Sequence, residues 1–239
     1  MEQQGNRAGN FLPRRDGVAG SGAVDPRVVA LTAPASEEAE QFRALHQRVE
    51  RARAAGQRGI VSLVSATAGE GTTLTAANLA ITAARAHRDR RVVLVELNVH
   101  APGLAALLGV SPSPGVLEVL AGDAGIGEAA RRFHGTPLTV LCAGRPGDGL
   151  PGDWICSPEL DALLELLRAN FDDVLVDLPP VLTCADGIRV AARSAGLLLV
   201  VRARRTTGRE VGRALELMDG LPLLGCVLND AEQRGGWRR

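Results

Sequence analysis

One segment of the sequence carries the residue types that bind phosphate. Residues 65–73 read Ser-Ala-Thr-Ala-Gly-Glu-Gly-Thr-Thr and lie between an apolar, strand-like run and a helical pattern. The usual phosphate loop at such a junction, GxxxxGK[ST], uses glycines to turn backbone N–H groups toward the anion. Gly69 and Gly71 allow that turn, Thr73 stands at the Mg²⁺-binding hydroxyl position, and Thr72 stands where the motif has its lysine. Alone, the segment is also compatible with an ordinary tight turn.

A second segment adds a carboxylate at the end of an apolar strand. Residues 171–180 read Phe-Asp-Asp-Val-Leu-Val-Asp-Leu-Pro-Pro, so Asp177 closes the strand and two prolines follow. A carboxylate in this position suits Mg²⁺ held through its water shell beside bound phosphates. An ordinary turn or helix-cap aspartate is the alternative. Together, the two segments predict a nucleotide site in which Thr73 and Asp177 hold the metal.

The composition narrows the chemistry further. The 239 residues contain 27 basic and 27 acidic side chains, and every basic one is arginine because lysine is absent. This balance argues against a polyelectrolyte role on nucleic acid or on an anionic membrane, so no nucleic-acid partner is expected. Arginine is the residue left to replace a loop lysine. Tyrosine is absent as well.

Neither a metal–thiolate site nor a membrane span is predicted. The four cysteines are far apart and form no CxxC pair, which argues against a zinc site and against a disulfide framework. No run approaches the ~18 apolar residues of a membrane span, and the N-terminus has no apolar stretch of signal-peptide type. We therefore expect a cytoplasmic protein, or one held peripherally at the inner membrane through a partner.

The order of apolar runs predicts an α/β fold. Residues 1–34 are rich in Gly, Pro and Arg without periodicity and are interpreted as a flexible tail. A domain follows over residues 35–232, beginning with a helix that is capped by Ser36 and stopped by Gly56, and residues 233–239 form a second short tail. Apolar runs alternate with helical stretches, which predicts a mostly parallel, doubly wound sheet of about six to eight strands. The predicted strands are Ile60–Val64, Val92–Val95, Leu138–Leu141, Val174–Val176, Leu197–Val201 and Leu223–Leu228. The predicted helices between them are Thr73–Ala86, Pro158–Asn170, Ala185–Arg193 and Arg209–Asp219.

In order and spacing, these motifs resemble the cytoplasmic tyrosine kinases of bacterial capsule and exopolysaccharide synthesis, a group of P-loop ATPases with deviant Walker motifs. The resemblance runs from Ser36 to Glu232. The segments that carry it are Glu40–Arg43 (the ExxRxxR helix), Ser65–Thr73 (the Walker A loop), Ala77–Ala80, Pro102–Leu104, Gly115–Gly122, Leu141–Gly144, Ser157–Leu160, Asp177–Pro180 with Asp186 (DTPP…D) and Gly225–Asn229 (the GVVLN strand).

The resemblance implies a P-loop NTPase fold that binds ATP and Mg²⁺. It implies a membrane polysaccharide copolymerase as partner, and homo-oligomers formed through the helix at 36–55. Its metal positions correspond to Thr73 and Asp177, and its catalytic positions to Asp177, Asn98 and Thr72. The implied nucleotide contacts are Gly69, Glu70, Gly71, Thr72, Thr73, Leu74 and, near the adenine, Asn229.

Three departures from the family pattern fall on catalytic positions. Thr72 replaces the lysine that neutralises the β- and γ-phosphates, which costs ~1.5–3 kcal/mol in binding and more in the transition state. Asn98 replaces the second aspartate of the D-x-D-x-R motif and cannot act as a general base. His100 replaces the arginine of that motif, and His46 replaces the last arginine of ExxRxxR. These 239 residues also contain no tyrosine to autophosphorylate.

We therefore expect a catalytically impaired relative, a pseudokinase that regulates polysaccharide synthesis and binds nucleotide weakly or not at all. One alternative is an active ATP-dependent kinase that phosphorylates tyrosines of another protein, with Arg202, Arg204 or Arg205 supplying the missing charge. For these arginines, a solvated loop is the favoured interpretation. The other alternative is a partition- or division-type positioning ATPase, although Thr67 stands where many of those proteins carry a signature lysine.

Overall fold

Helices cover both faces of a seven-stranded sheet. The structure, a computed structural model, describes residues 22–53, 59–133, 135–145, 147 and 151–231. In these ranges the strands are β1 (Ile60–Ser65), β2 (Val92–Glu96), β3 (Arg131–Arg132), β4 (Leu138–Leu141), β5 (Asp173–Asp177), β6 (Gly196–Arg202) and β7 (Leu223–Asn229). The helices are α1 (Val29–Thr32), α2 (Glu37–Ala52), α3 (Thr72–Ala86), α4 (Leu104–Leu108), α5 (Val116–Ala121), α6 (Ile126–Ala129), α7 (Pro151–Ile155), α8 (Pro158–Asn170), α9 (Asp186–Ala191) and α10 (Gly208–Leu217).

The sheet is the mostly parallel one that the sequence predicts. Its strand order is β3-β4-β2-β5-β1-β6-β7, and all neighbouring pairs are parallel except β3 with β4. Every residue of β1, β2, β4 and β5 is buried, as expected of strands that are covered on both faces. All six predicted strands are confirmed. The seventh, β3, was not predicted because it consists of two arginines and has no apolar pattern.

Two apolar layers hold the helices on the sheet. Helices α1, α2, α3 and α4 pack on one face, where α3 is buried along most of its length. On the other face, α8 contributes leucines at 160, 163, 164 and 167, the i, i+3, i+4, i+7 spacing of an amphipathic helix. The four predicted long helices are confirmed with boundary shifts of one or two residues. No helix in the described ranges is both long and apolar enough to cross a membrane.

The predicted N-terminal helix is α2. The Ser36 hydroxyl oxygen accepts a hydrogen bond from the N–H of Ala39 at 3.1 Å, as an N-cap does. His46 is buried on the face toward α3, and this burial lowers the pKa of its imidazole. The predicted stop at Gly56 lies outside the described residues.

The predicted tail boundary at residue 34 is corrected by the structure. Residues 22–33 lie against the domain, with Val28 and Ala30 buried in the layer around α3. The amide of Asn78 fixes them: its Oδ1 accepts from the N–H of Ala30 at 2.9 Å, and its Nδ2 donates to the carbonyl of Arg27 at 3.2 Å. An apolar run this short shows no periodicity, so the sequence pattern could not reveal it. The remaining predicted tail segments, 1–21 and 233–239, and residue 232 lie outside the described residues.

Candidate functional site

The phosphate-loop segment lies at the carboxyl edge of the sheet, between β1 and α3. Gly69 and Gly71 have φ values of +80° and +87°, a region open mainly to glycine. A Cβ on Gly71 would also lie 2.1 Å from Nδ2 of Asn229. The loop conformation therefore requires both glycines, and it opens at the positive N-terminal end of the 15-residue helix α3.

Two side chains fix the shape of this loop. Glu70 is buried, and its Oε1 accepts hydrogen bonds from the N–H of Thr67 at 3.0 Å and from the Thr67 hydroxyl at 2.7 Å. Asn229, at the end of β7, donates from Nδ2 to the backbone carbonyl of Glu70 at 2.8 Å. The sequence resemblance implies that Asn229 lies near an adenine, and the structure shows its amide nitrogen bonded to the loop.

Thr73 and Asp177, the predicted metal pair, are in direct contact. Oγ1 of Thr73 donates to Oδ2 of Asp177 at 2.6 Å. Asp177 is fully buried at the end of β5, and this burial raises its pKa to about 8. Its Oδ1 has no hydrogen-bond partner among the described residues. A carboxylate oxygen left without a donor, beside a threonine hydroxyl, is a hard oxygen-donor set that fits Mg²⁺.

A second buried carboxylate, Glu96, lies opposite Asp177 in the pairing of β2 with β5. Its Oε1 accepts from the N–H groups of Gly103 at 2.6 Å and Leu104 at 2.7 Å, and its Oε2 accepts from the N–H of Ala143 at 3.1 Å. Burial raises the pKa of Glu96, and these three donors oppose the rise. Glu96 thus ties the end of β2 to the start of α4 and to the segment after β4. Sequence reasoning missed this role, although a glutamate closing an apolar run was the available signal.

The segment after β2 borders the same cleft as the loop. Asn98 and His100 line, together with loop residues, a cavity of about 550 Å³. Oδ1 of Asn98 is buried and has no hydrogen-bond partner within the described ranges. Nε2 of His100 lies 3.1 Å from Oδ2 of Asp186. A second cavity of similar size, about 560 Å³ between α2 and α3, contains none of the predicted site residues.

Arginines bring positive charge to the loop. Arg202 and Arg205 each donate from Nη1 to the carbonyl of Gly69, at 3.2 and 3.4 Å. Arg202 also pairs with Asp230 at 3.0 Å, whereas Arg205 has no carboxylate partner in the described part of the chain. Arg27 lines the cleft with 69% of its side chain exposed. The solvated-loop interpretation is therefore incomplete, because the half-buried Arg202 and the exposed Arg205 both contact the phosphate loop.

The predicted positions converge on one edge of the sheet. The cleft is lined by the loop residues and by Asn98, while Asp177 lies beneath it through its bond to Thr73. The predicted contact residues that line the cleft are Gly69, Glu70, Gly71, Thr72, Thr73 and Leu74. Their individual roles in binding nucleotide or metal stay predictions.

No protein-family model matches the chain. It is 28% identical over 204 residues to the tyrosine-protein kinase YwqD of Bacillus subtilis, a match that covers 84% of this chain and 85% of YwqD. It is 29% identical over 208 residues to the succinoglycan biosynthesis transport protein ExoP of Rhizobium meliloti, and 28% over 209 residues to the tyrosine-protein kinase etk of Escherichia coli. These two matches cover 85% and 86% of this chain but only 26% and 28% of ExoP and etk.

Solved structures show the same relationship. The kinase domain of Escherichia coli tyrosine kinase ETK superposes with a TM-score of 0.80 at 26% identity, over 89% of this chain and 83% of that chain. Cobyrinic acid a,c-diamide synthase of Mycobacterium smegmatis, with bound ATP analogue and magnesium, gives 0.55 at 26% identity, over 74% and 76% of the two chains. The cell division ATPase MinD of Pyrococcus furiosus gives 0.56 at 29% identity, over 72% of each chain.

A parallel sheet with a glycine-containing phosphate loop after β1 and a buried aspartate closing the neighbouring β5 defines the class of P-loop ATPase domains. Within that class, the chain is a homologue of the bacterial tyrosine-protein kinases, as its motifs indicate.

Proposed function

We propose that this chain is a nucleotide-binding regulatory domain of the bacterial tyrosine-kinase type, acting in exopolysaccharide or capsule biosynthesis with impaired phosphoryl transfer. The observation that carries the proposal is the 2.6 Å contact of Thr73 with Asp177, beside a loop whose lysine position is Thr72. The metal side of a phosphate site is kept, and the strongest cationic contact to the phosphates is replaced by a neutral hydroxyl.

Nucleotide binding rests on the loop backbone and on oxygen donors. Mg²⁺ would be held by the Thr73 hydroxyl and, through water, by Asp177, and when bound it would neutralise phosphate charge. Cations at the rim come from exposed arginines, Arg205 at Gly69 and Arg27 on the cleft wall, the latter paired with Asp25 at 2.7 Å. Exposed charges are screened by solvent, so these arginines replace only part of what a loop lysine contributes. Binding is therefore weak compared with that of a complete phosphate loop.

Phosphoryl transfer is impaired because Asn98 stands where the family has its second aspartate. Catalysis of this reaction depends on positioning and on electrostatic stabilisation, with a carboxylate to orient or accept the proton of the nucleophile. Asn98 cannot accept that proton. Glu96, the nearest acid on the same strand, has its carboxylate engaged by three backbone N–H groups. Asp177 is committed to the metal side of the site.

The setting in polysaccharide synthesis is supported by the relatives. ExoP is named a succinoglycan biosynthesis transport protein, and this chain corresponds to about a quarter of its length. YwqD, by contrast, is matched over most of its length. The domain therefore has counterparts both as a short chain and as part of a much longer one. The partner proposed for this chain is a membrane polysaccharide copolymerase, contacted from the cytoplasmic side.

Self-association through α2 is part of the same proposal. Ala39, His46 and Val49 face the domain itself, while Arg43 lies on the exposed face in an ion pair with Glu40. His46, at the last position of the ExxRxxR pattern, is buried and cannot contact a second copy. Any ring built on this helix therefore lacks one charged contact between copies. Light scattering of the purified chain, with and without Mg²⁺ and ADP, measures the size of the assembly.

The test restores the missing charge. Thr72→Lys should tighten binding of ADP with Mg²⁺ by about 10- to 100-fold over the natural chain, since a hydrogen bond to a charged group contributes ~1.5–3 kcal/mol. Isothermal titration calorimetry measures both proteins. Ala68→Lys, at an exposed position of the same loop, serves as a matched control that adds the same charge without removing a side-chain hydrogen bond, and it should tighten binding less.

Turnover decides between the proposal and its alternative. We expect no measurable ATP hydrolysis and no transfer to tyrosine when the natural chain is incubated with labelled ATP and its membrane partner. Robust hydrolysis or tyrosine labelling that disappears in Asp177→Ala would establish the alternative, a kinase acting in trans with arginine charge at the loop. A positioning ATPase is the less supported candidate, because the fold match to MinD, at 0.56, is lower than the 0.80 to ETK.

A further inference from the structure

Four side chains with metal-binding donor atoms gather beside the cleft, around the carboxylate of Asp186. They come from three separate segments of the chain: His100 follows β2, Cys156 follows α7, and Cys184 precedes α9, whose first residue is Asp186. Cysteine spacing alone argued against a zinc site, because no CxxC pair exists. The fold brings the donors together from distant positions instead.

Two of the distances among His100, Cys184 and Asp186 are close to those between ligands of one tetrahedral ion. Nε2 of His100 and Sγ of Cys184 lie 3.1 and 3.6 Å from the same oxygen, Oδ2 of Asp186. The ligand atoms of these three residues all lie within 4.8 Å of one another. Zinc bonds of ~2.0–2.1 Å to nitrogen or oxygen and ~2.3 Å to sulfur separate tetrahedral ligands by about 3.3–3.6 Å. Sγ of Cys156 lies 3.9 Å from the other oxygen, Oδ1 of Asp186.

Asp186 differs from two other paired aspartates, Asp173 and Asp230, in its partner. Asp173 and Asp230 each form a salt bridge with an arginine. Within the described ranges, the ion pair recorded for Asp186 is with His100. Gly152 borders the carboxylate closely, and a Cβ there would lie 3.2 Å from Oδ2. A carboxylate surrounded by an imidazole and two thiols, with no guanidinium on it, is open to a cation.

We propose that His100, Cys184 and Asp186 bind one Zn²⁺ ion. The fourth position of the tetrahedron is left to water. The Cys184 thiol releases its proton to solvent and bonds to the ion as a thiolate, so binding releases protons. Imidazole, thiolate and carboxylate form a ligand set that selects zinc over Mg²⁺, which prefers oxygen donors alone.

This site is separate from the Mg²⁺ position beside the phosphate loop, yet it borders the same cleft. His100 and Cys184 both line the cavity that contains Thr73. Zinc held there adds positive charge to the cavity wall in a chain whose loop has lost its lysine. The proposal does not depend on nucleotide binding, and its test uses no nucleotide.

The experiment titrates the reduced, metal-free 239-residue chain with Zn²⁺ in excess Mg²⁺ by calorimetry, and with Co²⁺ by absorption spectroscopy. We expect one equivalent of zinc and a thiolate-to-cobalt charge-transfer band. Loss of even an outer partner of a metal ligand typically costs about 10- to 100-fold in affinity, so Cys184→Ser and His100→Ala should each lose at least that much. Cys226→Ser, which changes an exposed cysteine on β7, is the matched control and should bind zinc as the natural chain does.

Zinc binding that is unchanged in Cys184→Ser and His100→Ala overturns the proposal. A natural chain that binds no zinc after reduction overturns it as well. If circular dichroism shows that a variant is unfolded, the cobalt spectrum of the natural chain decides: a charge-transfer band supports the site, and its absence excludes thiolate ligation. Competition with Mg²⁺ that removes the bound zinc would also overturn it.

Discussion

Two fully buried carboxylates lie opposite each other at the carboxyl edge of the sheet, and their partners differ. Glu96 at the end of β2 accepts three backbone hydrogen bonds, whereas Asp177 at the end of β5 accepts one from Thr73 and keeps its Oδ1 unpaired in the described part of the chain. The end of β2 therefore holds segments of the fold together, and the end of β5 presents an acceptor to a cation. Both acids are buried, so burial does not distinguish a functional acid from a structural one. The hydrogen-bond donors around each carboxylate distinguish them.

Removing the Glu96 carboxylate at the end of β2 should cause the largest loss of stability. Glu96→Ala leaves the N–H groups of Gly103, Leu104 and Ala143 without their acceptor, and each buried unpaired group costs ~1–3 kcal/mol. We expect the free energy of unfolding to fall by ~3 kcal/mol or more, measured by urea denaturation at pH 7. Glu165→Ala, which removes an exposed carboxylate of α8, should change it by less than ~0.5 kcal/mol. A loss below ~1 kcal/mol for Glu96→Ala would show that its contacts are not structural.

Replacing the carboxyl group of Asp177 at the end of β5 should change stability in the opposite direction. The folded-state pKa of Asp177, about 8, lies above its ordinary value of 3.8. Between these values the unfolded chain has released the proton and the folded chain still holds it, so stability falls as pH rises through this window. Asp177→Asn keeps an acceptor for the Thr73 hydroxyl and removes this dependence. At pH 8 without Mg²⁺, we expect it to be more stable than the natural chain by at least ~1.4 kcal/mol, the equivalent of one pKa unit.

The measurement is urea denaturation of both proteins at pH 5 and pH 8. Glu96, whose pKa burial also raises, is present in both proteins and itself raises the pKa of Asp177, so the difference between the proteins reports Asp177 together with its coupling to Glu96. The stabilisation that ADP with Mg²⁺ gives the natural chain should disappear in the variant. Identical pH profiles would mean that Asp177 is already ionised in the folded protein.

The smallest effect concerns the arginine charge at the loop. Arg205→Gln removes an exposed guanidinium that contacts the carbonyl of Gly69, and exposed charges contribute ~0.2–1 kcal/mol. Affinity for ADP with Mg²⁺ should fall about 2- to 5-fold in calorimetry at low salt, and the difference should shrink as salt is added. Arg209→Gln, on the nearby helix α10, is the control for general electrostatics. Equal losses in both variants would remove any specific role for Arg205.

Much of the fold follows from local patterns. The six apolar runs form six strands, because a strand with a continuous apolar sequence buries its side chains on both faces of a covered sheet. The spacing of Gly69, Gly71 and Thr73 after one run, and Asp177 at the end of another, placed both segments at the same edge, since parallel strands share their carboxyl ends. The segment at 22–33 was misassigned because long-range contacts hold it, among them the hydrogen bonds of Asn78 and the burial of Val28 and Ala30, and no periodicity reveals such contacts.

By itself, the sequence determined the class of fold, the position of the phosphate loop and the loss of its lysine, because these depend on residues close together in the chain. Only the tertiary structure decided that the two buried acids have different partners and that Arg202 and Arg205 reach Gly69. It alone assembled His100, Cys184 and Asp186 beside the cleft. The contacts of Arg202, Arg205 and His100 join residues 86 to 136 positions apart in the chain. Crossover connections in a parallel sheet fix such neighbours through the strand order rather than through local spacing.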